Sequence, residues 1–220
     1  MSGLAQGLLS SHPRLISIEG GEGAGKTTVI NALRDALETD GAFEVVLTRE
    51  PGGTGLAERI RELLLARDGE APSAQTELLL MFAARAQHVQ QLIAPALARG
   101  AWVLCDRFTD SSYAYQGGGR GLDAGLIVTL EQHAVGIRPG LTLLLDLDVA
   151  HGRERARGRD LLPDRMESER DEFHQRVRQA FLARAAADPQ RFRVLDAAQP
   201  AADVAAEAVR QLRTFKAAVA

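Results

Sequence analysis

Apolar residues in this chain gather into short unbroken runs separated by longer stretches with helical spacing. Residues 15–18, 43–47, 102–105, 141–147 and 192–195 are such runs, rich in Val, Ile and Leu and without alternation. They predict strands covered on both faces, as in a parallel sheet. After the first run, residues 28–40 carry Val29, Ile30, Leu33 and Leu37 at helical spacing, and Gly41 is a stop. Residues 73–99 read as one long helix, capped near Ser73 or Thr76 and kinked at Pro95. Its broad apolar face carries Leu78, Leu79, Phe82, Val89 and Leu92, with Arg85 and Gln87 out of keeping with packing alone. Strands alternating with helices predict a doubly wound α/β domain whose ligands sit beyond the carboxyl ends of the strands.

The first strand-to-helix junction carries the clearest chemistry. Gly20 to Thr27 reads Gly-Gly-Glu-Gly-Ala-Gly-Lys-Thr, which fits G-x-x-x-x-G-K-[ST] in full. A strand, a glycine turn and a helix N-terminus aim backbone N–H groups and a positive helix end at one point. In such a loop Lys26 reaches the terminal phosphates and the Thr27 hydroxyl holds Mg²⁺. Of 26 basic residues, only Lys26 and Lys216 are lysines. A preference for arginine codons explains the arginines, but not a compact ammonium at this position.

Composition narrows the classes. With 220 residues, 45% hydrophobic and 25% charged, the chain suits one soluble domain with a full core. Aromatics are only 5%, so aliphatic residues must build that core. A net charge of −3 removes the basic field expected of a nucleic-acid binder. Cys105 is the sole cysteine; it suits a reducing cytoplasm and reads as a buried thiol at a strand end. The five histidines lack metal-ligand spacing. No run is long enough to span a membrane, and residues 1–12 read as a loose tail without a basic leader.

A second cluster comes after the third strand. Asp106-Arg107-Phe108 leads into Tyr113-Ala114-Tyr115-Gln116-Gly117-Gly118-Gly119-Arg120-Gly121. Such a loop is poor core material and suits a planar polar ligand, with Arg107 able to grip a phosphate by two parallel bonds. From this chemistry alone, a surface loop with an ion-paired Asp106 and Arg107 stays open as the alternative.

Four segments together carry a resemblance. Glu-Gly-Gly-Glu-Gly-Ala-Gly-Lys-Thr-Thr at 19–28, Thr-Arg-Glu-Pro-Gly-Gly-Thr at 48–54, Asp-Arg-Phe at 106–108 and Ala-Tyr-Gln-Gly-Gly-Gly-Arg-Gly at 114–121 resemble bacterial thymidylate kinase in order and spacing. The resemblance implies a three-layer α/β/α P-loop NTPase fold over the single 220-residue domain, with a five-stranded parallel sheet and a mobile lid at about 150–168. It implies a cytoplasmic homodimer, paired through helices in 73–99 and 122–135, that phosphorylates dTMP with ATP and Mg²⁺. ATP would lie on Gly20, Gly21, Glu22, Gly23, Ala24, Gly25, Lys26, Thr27 and Thr28. Arg107 would hold the dTMP phosphate, flanked by Glu50 and Arg61. Arg85, Ser112 and Gln116 would read the base, Tyr115 would sit against deoxyribose, Glu22 would lie near the 3′-hydroxyl, and Asp106 near Mg²⁺. Relatives stack a phenylalanine on thymine four residues before the base-reading arginine. Here that position is Met81 and the phenylalanine is Phe82, so one of the two supplies the surface; Phe82 is preferred.

The phosphate loop contains no arginine, so the charge-neutralising arginine must come from elsewhere. The resemblance places it in the lid, where Arg153, Arg155, Arg157 and Arg159 precede Arg165. Arg155, Arg157, Arg159 and Arg165 are the candidates, and Gly158 and Pro163 bracket the lid tip. A solvated helical face paired with acids is the plainer reading of the same arginines. A kinase for another nucleoside monophosphate and an NTPase switch are the alternatives in function. Asn31 is the sole asparagine, so the guanine-reading motif of a GTPase switch is missing.

Overall fold

The computed structural model describes residues 9–157 and 164–219. Five strands form one parallel sheet: β1 (Ser10–Gly20), β2 (Val45–Arg49), β3 (Trp102–Asp106), β4 (Ile137–Asp146) and β5 (Phe192–Asp196), in the order β2-β3-β1-β4-β5. The aliphatic runs lie where double coverage was expected. Leu15, Ile16, Ile18, Val103, Leu104, Leu143 and Leu145 are all fully buried.

Helices cover both faces. On one, α1 (Lys26–Thr39) and α9 (Ala201–Val219) bring Leu33, Leu37, Ala208 and Leu212 against Ile16, Ile18 and Leu143. On the other, α3 (Ala74–His88) places Leu78 and Phe82 beside Leu15, Val103 and Phe108. A third cluster forms where α8 (Asp171–Ala187) packs Phe173, Val177 and Phe181 over Ala114 and Leu144. Shorter helices are α2 (Gly55–Leu65), α4 (Ala94–Ala98), α5 (Thr109–Ser112), α6 (Ala124–Leu130) and α7 (Val149–Arg157). The architecture is the expected three-layer α/β/α sandwich.

Several boundaries differ from expectation for local reasons. Ser10, Ser11 and His12 are paired with Ile137, Arg138 and Pro139, so the end of the expected tail belongs to β1. A register shift between His12 and Ile16 accommodates Pro13, which has no N–H to donate. Phe43 is not in β2 but 90% exposed in the loop before it. The long helix starts at Ser73, whose Oγ accepts from the Thr76 N–H. Pro95 does not break it. A π-helical turn, Val89–Ile93, absorbs the proline's missing hydrogen bond and passes into α4.

Candidate active site

The carboxyl ends of β1, β2 and β3 converge on one cavity of about 480 Å³. The phosphate loop forms one wall. Gly25 takes a left-handed conformation (φ 89°) that turns the chain into α1. Gly23 is left-handed too, and a side chain there would collide with the Gly152 carbonyl of α7. The loop is thus packed directly against the helix that begins the lid. Glu22, Gly23, Gly25, Lys26 and Thr27 line the cavity. Gly20 and Gly21 line a smaller adjoining cavity that shares Glu22 and Tyr115 with the first. Ala24 lies in the core, and Thr28 is exposed on α1. Lys26 Nζ donates across the loop to the Gly21 carbonyl at 3.0 Å.

The opposite wall comes from β3 and the segment that leaves it. Arg107 has φ 70°, a conformation that side chains other than glycine adopt only under outside constraint. Its N–H donates to the Ile18 carbonyl of β1 (2.9 Å), and its carbonyl accepts from the Cys105 thiol (2.9 Å). The guanidinium lies 5.1 Å over the Tyr115 ring and donates to Ser111 Oγ. Burial opposes its charge, but Tyr115, Asp106 and Glu19 outweigh that and hold its pKa above the usual arginine value. Asp106 is not bound to Arg107 as an ion pair; its Oδ1 is buried without a hydrogen-bond partner. Burial raises the Tyr115 pKa, so the phenol is neutral.

Arg85 and Glu50 are nearly buried in this wall, and both line the cavity. Arg85 donates to Glu50 Oε2 (2.5 Å), Ser112 Oγ (3.0 Å) and the Phe108 carbonyl (3.2 Å). The second Glu50 oxygen lies 3.0 Å from His88 Nδ1, and His88 Nε2 lies 2.7 Å from Thr48 Oγ1. Among the described residues, Glu50, His88 and Cys105 are the group with metal-ligand spacing. Each is already partnered, and the Arg85 guanidinium sits on Glu50, so the cluster is an internal strut. Burial, then Glu50 and Asp106, push the Cys105 thiol well up, leaving it inert as expected. Arg61, Ser112, Tyr115 and Gln116 also line the cavity, with Arg61 donating to the Pro51 carbonyl at 3.0 Å.

The preference for Phe82 as the base-stacking surface needs correction. Phe82 is 2% exposed and lies in the core, 4.8 Å under the Arg85 guanidinium. Met81 lines the cavity. One step along a helix turns a side chain by about 100°, and that rotation separates wall from core here. Phe82→Ala should therefore destabilise the fold by about 3–5 kcal/mol, the cost of emptying a core aromatic site. Met81→Ala should leave the melting temperature within a few degrees and raise KM for the acceptor nucleotide severalfold. Thermal melts and initial rates of both variants check this, and the opposite pattern would return the stacking role to Phe82.

The lid arginines separate. Arg153 ties the base of α7 to Asp171 (2.6 Å) and to the Glu169 carbonyl. Arg155 lines the cavity and donates to the Ala197 carbonyl at 2.8 Å. Arg157 is exposed at the end of α7. Arg159 and the expected lid tip lie outside the described residues. Arg165 is turned away from the cavity and committed to the Leu64 carbonyl (2.8 Å) and Glu77 (2.6 Å). Burial disfavours the Glu77 charge, but bonds from Gln116, Arg120 and Arg165 outweigh it and hold its carboxyl below the usual range. Arg165 therefore ties the segment after the undescribed residues to α2 and α3, and Arg155 is the described candidate at the cavity.

Sequence reasoning missed Glu19, Asp110, Ser111 and His174. Glu19 is fully buried at the end of β1. Asp110 is buried between Arg184 (2.6 Å) and Arg191 (2.6 Å). His174 lines both cavities, and its Nε2 is buried without a partner. An acid directly between an apolar run and the first loop glycine was the signal that could have found Glu19. Nothing local marked Asp110, whose partners lie 74 and 81 residues away.

A phosphate loop at the carboxyl end of the central strand of a parallel sheet, sharing one cavity with Arg107 and with Arg155 of α7, defines the class as a P-loop nucleotide kinase. The family model described as thymidylate kinase matches residues 18–208. A thymidylate kinase of Pseudomonas fluorescens (strain SBW25) is 60% identical over 190 residues, covering 86% of this chain and 90% of that protein. One from Pseudomonas savastanoi pv. phaseolicola is 59% identical over 192 residues, covering 87% and 90%. The crystal structure of a thymidylate kinase from Ehrlichia chaffeensis matches with a TM-score of 0.74 and 33% identity over 94% of this chain and all of that one. The chain belongs to the thymidylate kinase family, ATP-using enzymes that phosphorylate dTMP.

Proposed function

We propose that this protein transfers the γ-phosphoryl group of ATP in line to the 5′-phosphate of dTMP, with the donor on the phosphate loop and the acceptor phosphate on Arg107. The observation that carries this reading is a single cavity lined at once by Lys26, Thr27, Arg107, Tyr115 and Gln116. Phosphoryl transfer needs alignment and charge stabilisation more than proton transfer. Lys26 and the loop N–H groups grip the donor. Arg107, with Arg61 beside the acceptor phosphate, sets the line of attack. Arg155, on the lid helix, brings a cation to the transferring group.

Thr27 and Asp106 fit Mg²⁺. A hydroxyl and a carboxylate oxygen suit a hard cation, and the unpartnered Asp106 Oδ1 is an acceptor awaiting one. When bound, Mg²⁺ would neutralise charge on the donor phosphates. Met81, Arg85, Ser112 and Gln116 surround the base, and Tyr115 covers the sugar where a 2′-hydroxyl would be crowded. Comparing dTMP, dUMP, dCMP and UMP as acceptors tests this: dTMP should lead and UMP should trail by at least tenfold. A preference for UMP would overturn the roles given to Tyr115 and Met81.

The same reading extends to a single domain in the cytoplasm, acting as a homodimer through α3 and α6. Leu79, 49% exposed on α3, is an apolar side chain available to such an interface. No helix among the described residues is long and apolar enough to cross a membrane.

A further inference from the structure

Arg107 keeps a left-handed backbone, so something outside its own loop must hold it. The clamp is Glu19. Its Oε1 accepts from the Phe108 N–H at 2.7 Å, and its Oε2 lies 2.6 Å from Ser111 Oγ. The Ser111 hydroxyl in turn accepts from the Arg107 guanidinium at 3.3 Å. Glu19 precedes the first glycine of the phosphate loop by one residue, and it is fully buried off the cavity wall. One carboxyl group therefore joins the end of β1, which launches the donor loop, to Phe108 and Ser111, the residues one and four places after the acceptor arginine.

We propose that Glu19 is a positioning residue, which clamps the Arg107 loop to the strand carrying the phosphate loop and so fixes the acceptor phosphate relative to the donor. This rests on the assignment of Arg107 to the acceptor phosphate. The clamp acts in its neutral form. Burial, then the neighbouring Asp110 carboxylate, raise the Glu19 pKa to about 8, against Ser111, Arg107 and the Phe108 N–H. Asp110 stays charged because Arg191 and Arg184 outweigh the penalty of its burial. Tyr115 and Cys105 also face Glu19, and burial raises both pKa values, so neither supplies charge to it. A neutral carboxyl group holds the Phe108 N–H with one oxygen and the Ser111 hydroxyl with the other, leaving the guanidinium charge for the substrate. As pH rises past about 8, Glu19 gains a negative charge beside Arg107 and competes with the acceptor phosphate.

The test compares Glu19→Ala, Glu19→Gln and Arg107→Ala in the full-length enzyme. Glutamine reproduces the neutral group, an acceptor oxygen and a donor on one planar head. Glu19→Ala should lower kcat/KM for dTMP about tenfold to a hundredfold through misalignment, with KM for ATP within about twofold. Glu19→Gln should match the parent at pH 7. The parent's kcat/KM for dTMP should fall above about pH 8, and Glu19→Gln should lack that fall. A folded Glu19→Ala enzyme with parental dTMP kinetics would overturn the proposal, as would equal damage to ATP and dTMP constants. Should alanine prevent folding, the glutamine pH profile decides: an unchanged alkaline fall overturns the neutral clamp. Arg107→Ala separates the two levels. Unaltered dTMP kinetics there would remove the assignment beneath the proposal, whereas damage there without damage in Glu19→Ala would remove the proposal alone.

Discussion

Lys26→Ala should reduce kcat by on the order of 10²-fold or more, the usual loss when a preorganised charge facing a transferring group is removed. Lys26 sits at the first position of α1, and its Nζ lies across the loop against the Gly20 and Gly21 carbonyls. Its ammonium is thus held where the donor's terminal phosphates would arrive. Loss of charge in the transition state lowers kcat rather than only raising KM. The side chain is partly exposed at the cavity wall and outside the core, so the melting temperature should hold within a few degrees. Steady-state rates with a thermal melt measure both. A variant turning over within about threefold of the parent would remove Lys26 from the mechanism.

Arg107→Ala carries the second large expectation, a fall in kcat/KM for dTMP of about 10²- to 10³-fold with little change in KM for ATP. Two properties of the site motivate it. The left-handed backbone at Arg107 costs roughly 1–3 kcal/mol and persists only because the surroundings impose it. The guanidinium is laid over Tyr115 at the cavity wall and keeps its charge despite burial. A chain that strains its backbone to aim one cation at a cavity has a use for that cation there. Arg107→Lys should recover only part of the loss, because an ammonium lacks the planar fork that matches two phosphate oxygens. Full recovery by lysine would point to a purely Coulombic role.

The motifs were legible because their physics is local. A strand, a glycine turn and a helix fix the phosphate loop within eight residues, and Gly23 and Gly25 adopt the left-handed turns that the motif requires. The unalternated aliphatic runs marked every strand, because residues buried on both faces have no polar side to betray period two. What failed to show in the sequence depends on distant partners. Phe82 and Met81 differ by one step on the same helix, and only the packing of α3 on β3 decides which meets the cavity. Arg165 looked like its neighbours in an arginine-rich stretch until Glu77, 88 residues away, claimed it. Residues 10–12 look like a tail because their strand partners come from the start of β4. Phe43 looked like strand, yet at the sheet edge the ladder begins only at Val45, opposite Trp102.

The central claim is that donor and acceptor meet in one cavity and that the phosphoryl group passes directly between them. A coupled ADP-release assay with ATP and Mg²⁺, run with and without dTMP, tests it most directly. ADP release should be strictly dependent on dTMP, with dTDP formed in equal amount. ADP released at a comparable rate without any acceptor would mean that water takes the phosphoryl group, and the protein would then be an NTPase rather than a nucleotide kinase.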